Sequence, residues 1–296
     1  MRNFAGLAKR AGDNVLTRGL GFWKMQGIGN DYIVIDNRDE KIKENSIPSF
    51  AREVCSRKFS VGADGLLLVS NSGVADVKMR MFNADGTEAE MCGNGIRCFA
   101  KFCYDDKIVR TKELDVETLD GVKRTWLFTD DGEVKSVKVN MGKPSFDRDR
   151  IPMLGNGKCA VEKLKVDNET YAATCLSIGN PHCVIFVGDV KTFPVQMVGP
   201  RIETHKMFPK RINVEFVQII NRKEIKVRVW ERGVGETLAC GTGACASVVV
   251  SQALDKTNRE VQVHLLGGGL EIVYDGDVFM KGPAVKVFSG RLFGAG

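Results

Sequence analysis

Two segments of the chain repeat one another at a spacing of 148 residues, half of the 296-residue length. Residues 79–100 read MRMFNADGTEAEMCGNGIRCFA and residues 227–248 read VRVWERGVGETLACGTGACASV, and the two align without a gap, Cys92 against Cys240. A second pair of blocks, IGNDY at 28–32 and IGNPH at 178–182, repeats at a spacing of 150. Two separate blocks at nearly one spacing predict a duplicated fold with two homologous halves.

Short strands dominate the pattern, and a helix follows each Cys-Gly-x-Gly turn. The helices are predicted over 96–104 and 244–253, where apolar residues recur at helical spacing or on nearly every side. β-branched or alternating runs predict strands at 32–36, 65–70, 76–82, 133–139, 184–187, 213–218, 226–230, 269–274 and 285–288. The fold class predicted is α+β, with two pseudo-symmetric domains that arise from the internal duplication.

Domain boundaries follow from the repeat and from two Pro-containing turns, at 141–144 and 282–283. We expect a flexible basic leader at 1–21, an N-terminal domain at 22–142 and a C-terminal domain at 143–282, with 283–296 returning to the first domain. The leader has no apolar core of secretory-signal length, so an organellar presequence is the alternative to a simple extension.

Composition excludes several classes of protein. Forty-three Lys and Arg against 37 Asp and Glu leave a charge of only +6 spread over the chain, which does not favour a nucleic-acid partner. No apolar run approaches the roughly 20 residues that cross a bilayer. Nine cysteines form no C-x-x-C pair, and the three histidines lie far apart, so neither a disulfide framework nor a metal site is predicted. We expect reduced thiols in the cytoplasm.

The chemistry of the repeat lies in its two cysteines. Each would sit at a helix N-terminus, where free backbone N–H groups and the helix dipole favour an anion and lower the pKa of a thiol. Two such thiols related by pseudo-symmetry suit inversion at a carbon acid. One thiol removes a proton from one face of the carbon while the other protonates the opposite face. Without a cofactor, oriented hydrogen-bond donors must stabilise the carbanion, each contributing roughly 2.7–4 kcal/mol.

These motifs resemble the diaminopimelate epimerase family over residues 22–293. The segments that carry the resemblance are GIGNDYIVID (27–36), VGADG (61–65), MFNADGTEAEMCGNGIRCFAKF (81–102), IGNPHCVIFV (178–187), RINVEFVQI (211–219) and ERGVGETLACGTGACA (231–246). The resemblance implies a curved, mixed or antiparallel sheet around a central helix in each domain. The resemblance also implies that the protein is a cofactor-independent isomerase of lysine biosynthesis. It implies further that the protein acts on a small molecule and forms a homodimer.

The same resemblance implies roles for individual residues. Cys92 and Cys240 would be the two acid–base thiols, supported by His182 and Glu231. Substrate contacts are implied for Asn30, Asn83, Gly93, Asn94, Asn180, Asn213, Glu231, Arg232, Gly241 and Thr242. The residues themselves agree with this substrate class, because asparagine amides and an arginine fork suit ammonium and carboxylate groups at both ends of a ligand. Gly65 replaces a glutamine that contacts substrate in some members.

Two alternatives remain open at this point. A racemase of proline or hydroxyproline, or a dehydratase relative, would share the Cys-Gly turns but differ in the Gly-Asn motifs and in ERGVGET. A thiol nucleophile paired with His182 would form an acyl intermediate and would not need the second cysteine. A non-catalytic binding module leaves the matched thiols unexplained.

Overall fold

The computed structural model describes residues 19–293, and the two halves of that segment repeat the same order of elements. The strands of the first half are β1 (Gly21–Gly27), β2 (Asn30–Asp36), β3 (Gly65–Ser70), β4 (Val77–Asn83), β5 (Glu88–Ala89), β6 (Glu113–Thr118), β7 (Gly121–Asp130), β8 (Glu133–Gly142) and β9 (Val161–Val166). Those of the second half are β10 (Glu169–Ser177), β11 (Pro181–Phe186), β12 (Asn213–Asn221), β13 (Glu224–Glu231), β14 (Gly235–Thr237), β15 (Glu260–Leu265), β16 (Gly268–Asp275), β17 (Asp277–Pro283) and β18 (Val285–Arg291). The helices are α1 (Ile47–Val54), α2 (Gly93–Asp105), α3 (Val195–Glu203) and α4 (Gly241–Ala253), and a 3-10 turn at Glu44–Ser46 precedes α1.

The predicted fold class is confirmed, since strands from both halves join one mixed sheet that surrounds two central helices. In each half the first two strands form a hairpin, β1 with β2 and β10 with β11. The second strand of each hairpin then pairs in parallel with the strand that follows α1 or α3, so β2 pairs with β3 and β11 with β12. Each predicted strand overlaps an observed one. Each predicted central helix begins three residues earlier than expected, at Gly93 and at Gly241.

The main core lies around α2 and α4. The first eleven residues of α2 are all buried, and α4 packs on strands of the second half from β10 to β17. Side chains on these two helices and on the facing strands form one apolar cluster that runs through both halves. Smaller clusters lie beneath α1 and α3 on the outside of the sheet. The two helices that carry the Cys-Gly turns are therefore held in a rigid common core.

The chain crosses between the halves at its end. β17 pairs with β8 of the first half, and β18 pairs with β1, so the last strand lies against the first. This pairing supports the predicted return after Pro283, and the domain boundaries themselves stay a prediction. Most of the predicted leader, residues 1–18, lies outside the described residues, but Leu20 is buried and Gly21 begins β1. Among residues 19–293, no helix is long and apolar enough to span a membrane.

Candidate active site

The two cysteines occupy the same position in the two halves. Cys92 is the N-cap of α2, with φ −136° and ψ 125°, and Cys240 is the N-cap of α4, with φ −121° and ψ 115°. Both side chains line one cavity of about 130 Å³ between the halves. The duplication therefore places two thiols, one from each half, around a single pocket.

Glycines let the two helix N-termini meet at this pocket. A Cβ built on Gly93 would lie 3.6 Å from the Cα of Gly241, and one on Gly241 would lie 3.0 Å from the Sδ of Met280. A side chain at either position would displace the end of the Met280 side chain and occupy the space where the two helix ends meet. Because the first N–H groups of a helix have no partner within it, the two ends together offer several donors to an anion in the cavity.

The turns that precede β2 and β11 bring two asparagines to the same cavity. Gly29 and Gly179 adopt φ +100° and +82°, a left-handed conformation that allows each hairpin to turn sharply. Asn30 and Asn180 follow these glycines and line the cavity. The amide Nδ2 of Asn94 donates to the Oδ1 of Asn30 at 3.1 Å and to the carbonyl of Ala239 at 3.3 Å, linking the halves across the site.

A second cavity, of about 910 Å³, adjoins the first and shares Asn30, Cys92 and Glu231 with it. Asn83 and Arg232 line only this second cavity. Two of the predicted residues line neither cavity, His182 and Asn213; the remaining ones all line one or both. The predicted residues that line the first cavity are Asn30, Cys92, Gly93, Asn94, Asn180, Glu231, Cys240, Gly241 and Thr242.

His182 and Asn213 lie directly behind the cavity walls. The ring of His182 is fully buried, with Nε2 2.8 Å from the Oδ1 of Asn180 and Nδ1 2.7 Å from the Oε1 of Glu215. Asn213 donates to the carbonyl of Pro181 and accepts from the backbone N–H of Arg232 at 2.9 Å. In this structure both side chains hold other site residues in place.

The surroundings of Cys240 work against its ionisation. Burial raises the pKa of the Cys240 thiol well above its usual value, and the charges of Glu231 and Glu215 raise it further. The hydroxyl of Thr242 and the N–H of Gly243, both 3.4 Å from Sγ, act in the opposite direction but do not offset burial. The lowered pKa expected from the helix dipole is therefore wrong for Cys240, because desolvation outweighs the dipole.

The pKa of the Glu231 carboxyl is also shifted from its usual value. Burial raises the pKa of this carboxyl, while a hydrogen bond from the Thr237 hydroxyl, at 2.5 Å, lowers it. Glu231 ends β13 at the border of both cavities. A carboxyl held there can accept from an ammonium group in either cavity.

Sequence reasoning missed Tyr32 and Glu215. The Tyr32 hydroxyl lies 3.1 Å from the Sγ of Cys92, and Glu215 is a fully buried acid, the third residue of β12. Both left a signal in the sequence. Tyr32 aligns with His182 between the IGNDY and IGNPH blocks, and Glu215 is the one charged residue of the run INVEFV.

The fold is shared with solved structures whose titles name a proline racemase and a hydroxyproline epimerase. A probable proline racemase from Agrobacterium radiobacter superimposes with a TM-score of 0.68 at 14% identity, covering 92% of each chain. A hydroxyproline epimerase from Agrobacterium vitis gives 0.67 at 12% identity, over 94% of this chain and 92% of that one. At such low identity the likeness concerns the fold alone.

Sequence comparison identifies the family. The diaminopimelate epimerase family model matches residues 22–146 and 174–287. Diaminopimelate epimerases from Moorella thermoacetica and Methanothermobacter thermautotrophicus are 50% and 51% identical, over 91% and 92% of this chain and 98% of each relative. The chain belongs to the diaminopimelate epimerase family, and the resemblance seen in its motifs is confirmed.

Proposed function

We propose that the protein interconverts LL- and meso-2,6-diaminopimelate, a step of lysine biosynthesis, by a cofactor-independent mechanism that uses two thiols. The observation that carries the proposal is the placement of Cys92 and Cys240, at equivalent helix N-caps of the two halves, around one cavity. Membership of the family and relatives at about 50% identity support the substrate.

The reaction follows from this placement. A thiolate on one side takes the α-proton, and the electron pair left on the carbon is stabilised next to the α-carboxylate. The thiol on the other side then gives its proton to the opposite face. The configuration is inverted, and the enzyme is left with thiolate and thiol exchanged. A single base would return the proton to the face from which it came.

The N-termini of α2 and α4 would stabilise the carbanion. The α-carboxylate would lie against the first N–H groups of α2 and α4, beginning at Gly93 and Gly241, where free donors and two helix dipoles favour negative charge. Donors already oriented in a buried site need no rearrangement as the charge develops. Asn94, Asn180 and Thr242 complete the cavity wall at this end.

The second cavity supplies the place for the distal end of the substrate. Asn30, Asn83 and Arg232 would bind the distal ammonium and carboxylate groups, and Arg232 would pair with the carboxylate. Glu231, between the cavities, would accept from an ammonium group. A shorter amino acid such as proline would leave these residues without a partner, which favours a two-ended substrate.

His182 and Asn213 would act as positioning residues. His182 holds the amide of Asn180, and Asn213 holds the backbone of Arg232. The mechanism also needs both thiols reduced, which supports the cytoplasmic location expected from the sequence. A homodimer is supported by β18, which pairs only with β1 among the described strands and leaves Val287 and Phe288 exposed.

The direct test is hydrogen exchange at the α-carbon in deuterated water, followed by NMR and chiral chromatography. We expect Cys92→Ala and Cys240→Ala each to lower the epimerisation rate by at least about 10³-fold, because inversion needs both proton carriers. Cys98→Ala and Cys245→Ala are the matched controls, since these thiols lie fully buried in the same two helices, and they should keep most of the activity.

Two results would contradict the proposal. Substantial epimerisation by either Cys92→Ala or Cys240→Ala would exclude the two-thiol mechanism. Deuterium entering proline or hydroxyproline, and not diaminopimelate, would place the protein with the proline racemases instead.

A further inference from the structure

The hydroxyl of Tyr32 lies within hydrogen-bond reach of a catalytic thiol. Tyr32 is in β2, two residues after Asn30, and its side chain is 1% exposed. Its oxygen lies 3.1 Å from the Sγ of Cys92, and within residues 19–293 it has no other hydrogen-bond partner. A buried hydroxyl normally finds a partner, and here that partner is the sulfur that must ionise during the reaction.

The second half does not repeat this contact. His182 aligns with Tyr32, but its two ring nitrogens lie next to Asn180 and Glu215. Cys240 instead has the N–H of Gly243 and the hydroxyl of Thr242 near its sulfur. The duplication has therefore diverged at this position, because Tyr32 is within hydrogen-bond distance of its thiol and the ring nitrogens of His182 bond to other side chains.

The residues that pack beneath the N-termini of α2 and α4 also differ between the two halves. A Cβ built on Gly95 of α2 would meet Leu67 and the Tyr32 ring, whereas one on Gly243 of α4 would meet the carboxylate of Glu215. The charges of Glu231 and Glu215 thus act on Cys240, whereas the hydroxyl of Tyr32 lies next to Cys92. The other titratable groups that act on Tyr32 are Asp64, before β3, and Arg97 and Cys98 of α2.

We propose that Tyr32 is a positioning residue that donates a hydrogen bond to the Cys92 thiolate and directs a free lone pair of its sulfur into the cavity. The inference rests on the two-thiol mechanism proposed above. Hydrogen bonds to an ionised acceptor are about twice as strong as neutral ones, so the contact favours the thiolate at Cys92. The carboxylates near Cys240 disfavour a second negative charge there.

Tyr32→Phe tests this, because it removes the hydroxyl and keeps the ring. The rates at which iodoacetamide alkylates Cys92 and Cys240 are measured in the same protein by peptide mass spectrometry. We expect the Cys92 rate to fall about tenfold, the effect of one charge-assisted hydrogen bond, and the Cys240 rate to fall no more than about twofold. The kcat/KM should fall by one common factor in both directions, since a variant does not change the reaction's equilibrium.

Tyr171→Phe is the matched control, because its hydroxyl bonds only to the exposed Glu169 and lies in β10. It should leave both alkylation rates and the activity unchanged. The midpoint of thermal unfolding of each variant is measured alongside to establish that it is folded. An unchanged ratio of Cys92 to Cys240 alkylation in folded Tyr32→Phe overturns the inference, whatever happens to kcat.

Failure of the proposed function has a different signature. If the wild-type protein exchanges no α-hydrogen of diaminopimelate, the substrate assignment fails. The alkylation ratio uses no substrate, so it still reports whether Tyr32 acts on Cys92.

Discussion

At the scale of single residues, the two thiols of the site have diverged although their backbones have not. Both are N-cap residues with nearly the same φ and ψ, yet Cys240 is 7% exposed and Cys92 is half-buried. Burial and neighbouring carboxylates raise the pKa of Cys240. Because a thiol with a raised pKa stays protonated at neutral pH, Cys240 suits the role of the thiol that gives its proton to the carbanion.

The charge of Glu231 gives a pH-dependent prediction. Glu231→Gln removes one of the negative charges that raise the pKa of Cys240, so that pKa should fall and more thiolate should be present at any pH below it. We expect the alkylation of Cys240 to become severalfold faster at mildly alkaline pH, and its rate-against-pH curve to move to lower pH.

The matched control is Glu271→Gln, which removes a partly exposed carboxylate that pairs with Lys281 on the far side of β16 and β17. It should leave the Cys240 curve in place. A Glu231→Gln curve that moved to higher pH, or did not move, would show that this charge does not act on Cys240.

At the scale of elements, α2 and α4 are equivalent in position and different in what lies beneath them. Gly95 and Gly243 are the third residues of their helices. A Cβ on Gly95 would make ordinary contacts of 3.5 Å with Cys92 and Leu67, whereas one on Gly243 would lie 2.6 Å from the Oε1 of Glu215. That carboxylate is fully buried and holds His182, so it has little freedom to move.

Alanine substitutions at these two glycines should therefore have opposite effects. Gly95→Ala should raise the free energy of unfolding by about 0.4–1 kcal/mol, because alanine fits here without a clash and lowers the entropy of the unfolded chain. Gly243→Ala should lower it by about 1–3 kcal/mol, because the carboxylate must leave its place, and should reduce activity by displacing His182 and Asn180.

Urea unfolding followed by circular dichroism measures both effects, and each variant serves as the control for the other. Equal destabilisation by the two substitutions would contradict the proposed difference between the layers under α2 and α4.

At the scale of the whole molecule, the two halves are joined by three strand pairings and by their central helices. β8 pairs with β17, β9 pairs with β10, β1 pairs with β18, and the N-termini of the central helices touch at Gly93 and Gly241. Arg97 of α2, fully buried, donates to the carbonyl of Pro283 at 3.2 Å, where the chain passes from β17 to β18. These contacts hold both thiols around a common cavity.

The edge formed by β18 gives a prediction about assembly. All but one of its residues are exposed, and an unpaired edge with apolar side chains is suited to pairing with a second copy. We expect light scattering to give twice the 32.6 kDa chain mass, and Val287→Asp to convert the protein to a monomer.

Val122→Asp is the control, because Val122 is similarly exposed but lies on β7, which has a neighbour on each side. The Val122→Asp variant should remain a dimer. A monomeric wild-type protein, or a dimeric Val287→Asp variant, would contradict the assignment of this edge to a dimer interface.

The shorter helices show what local patterns could not predict. α1 and α3 span eight and nine residues, and α3 contains Pro200 within it. Helices this short are marginal in isolation, and most of their stability comes from packing an apolar face, here against clusters on the outside of the sheet. By contrast α2 and α4 were predictable, because apolar side chains recur through their length after a glycine-rich turn.

The sequence by itself determined the duplication, the α+β class, the two Cys-Gly helix starts and the family, because all of these are written in local patterns and their spacing. Only the tertiary structure decided which side chains face each thiol. Tyr32 and Glu215 reach the site from strands distant in sequence from Cys92 and Cys240. It also decided that Asn213 and His182 stand behind the cavity, since strand register and burial arise only when the chain is folded.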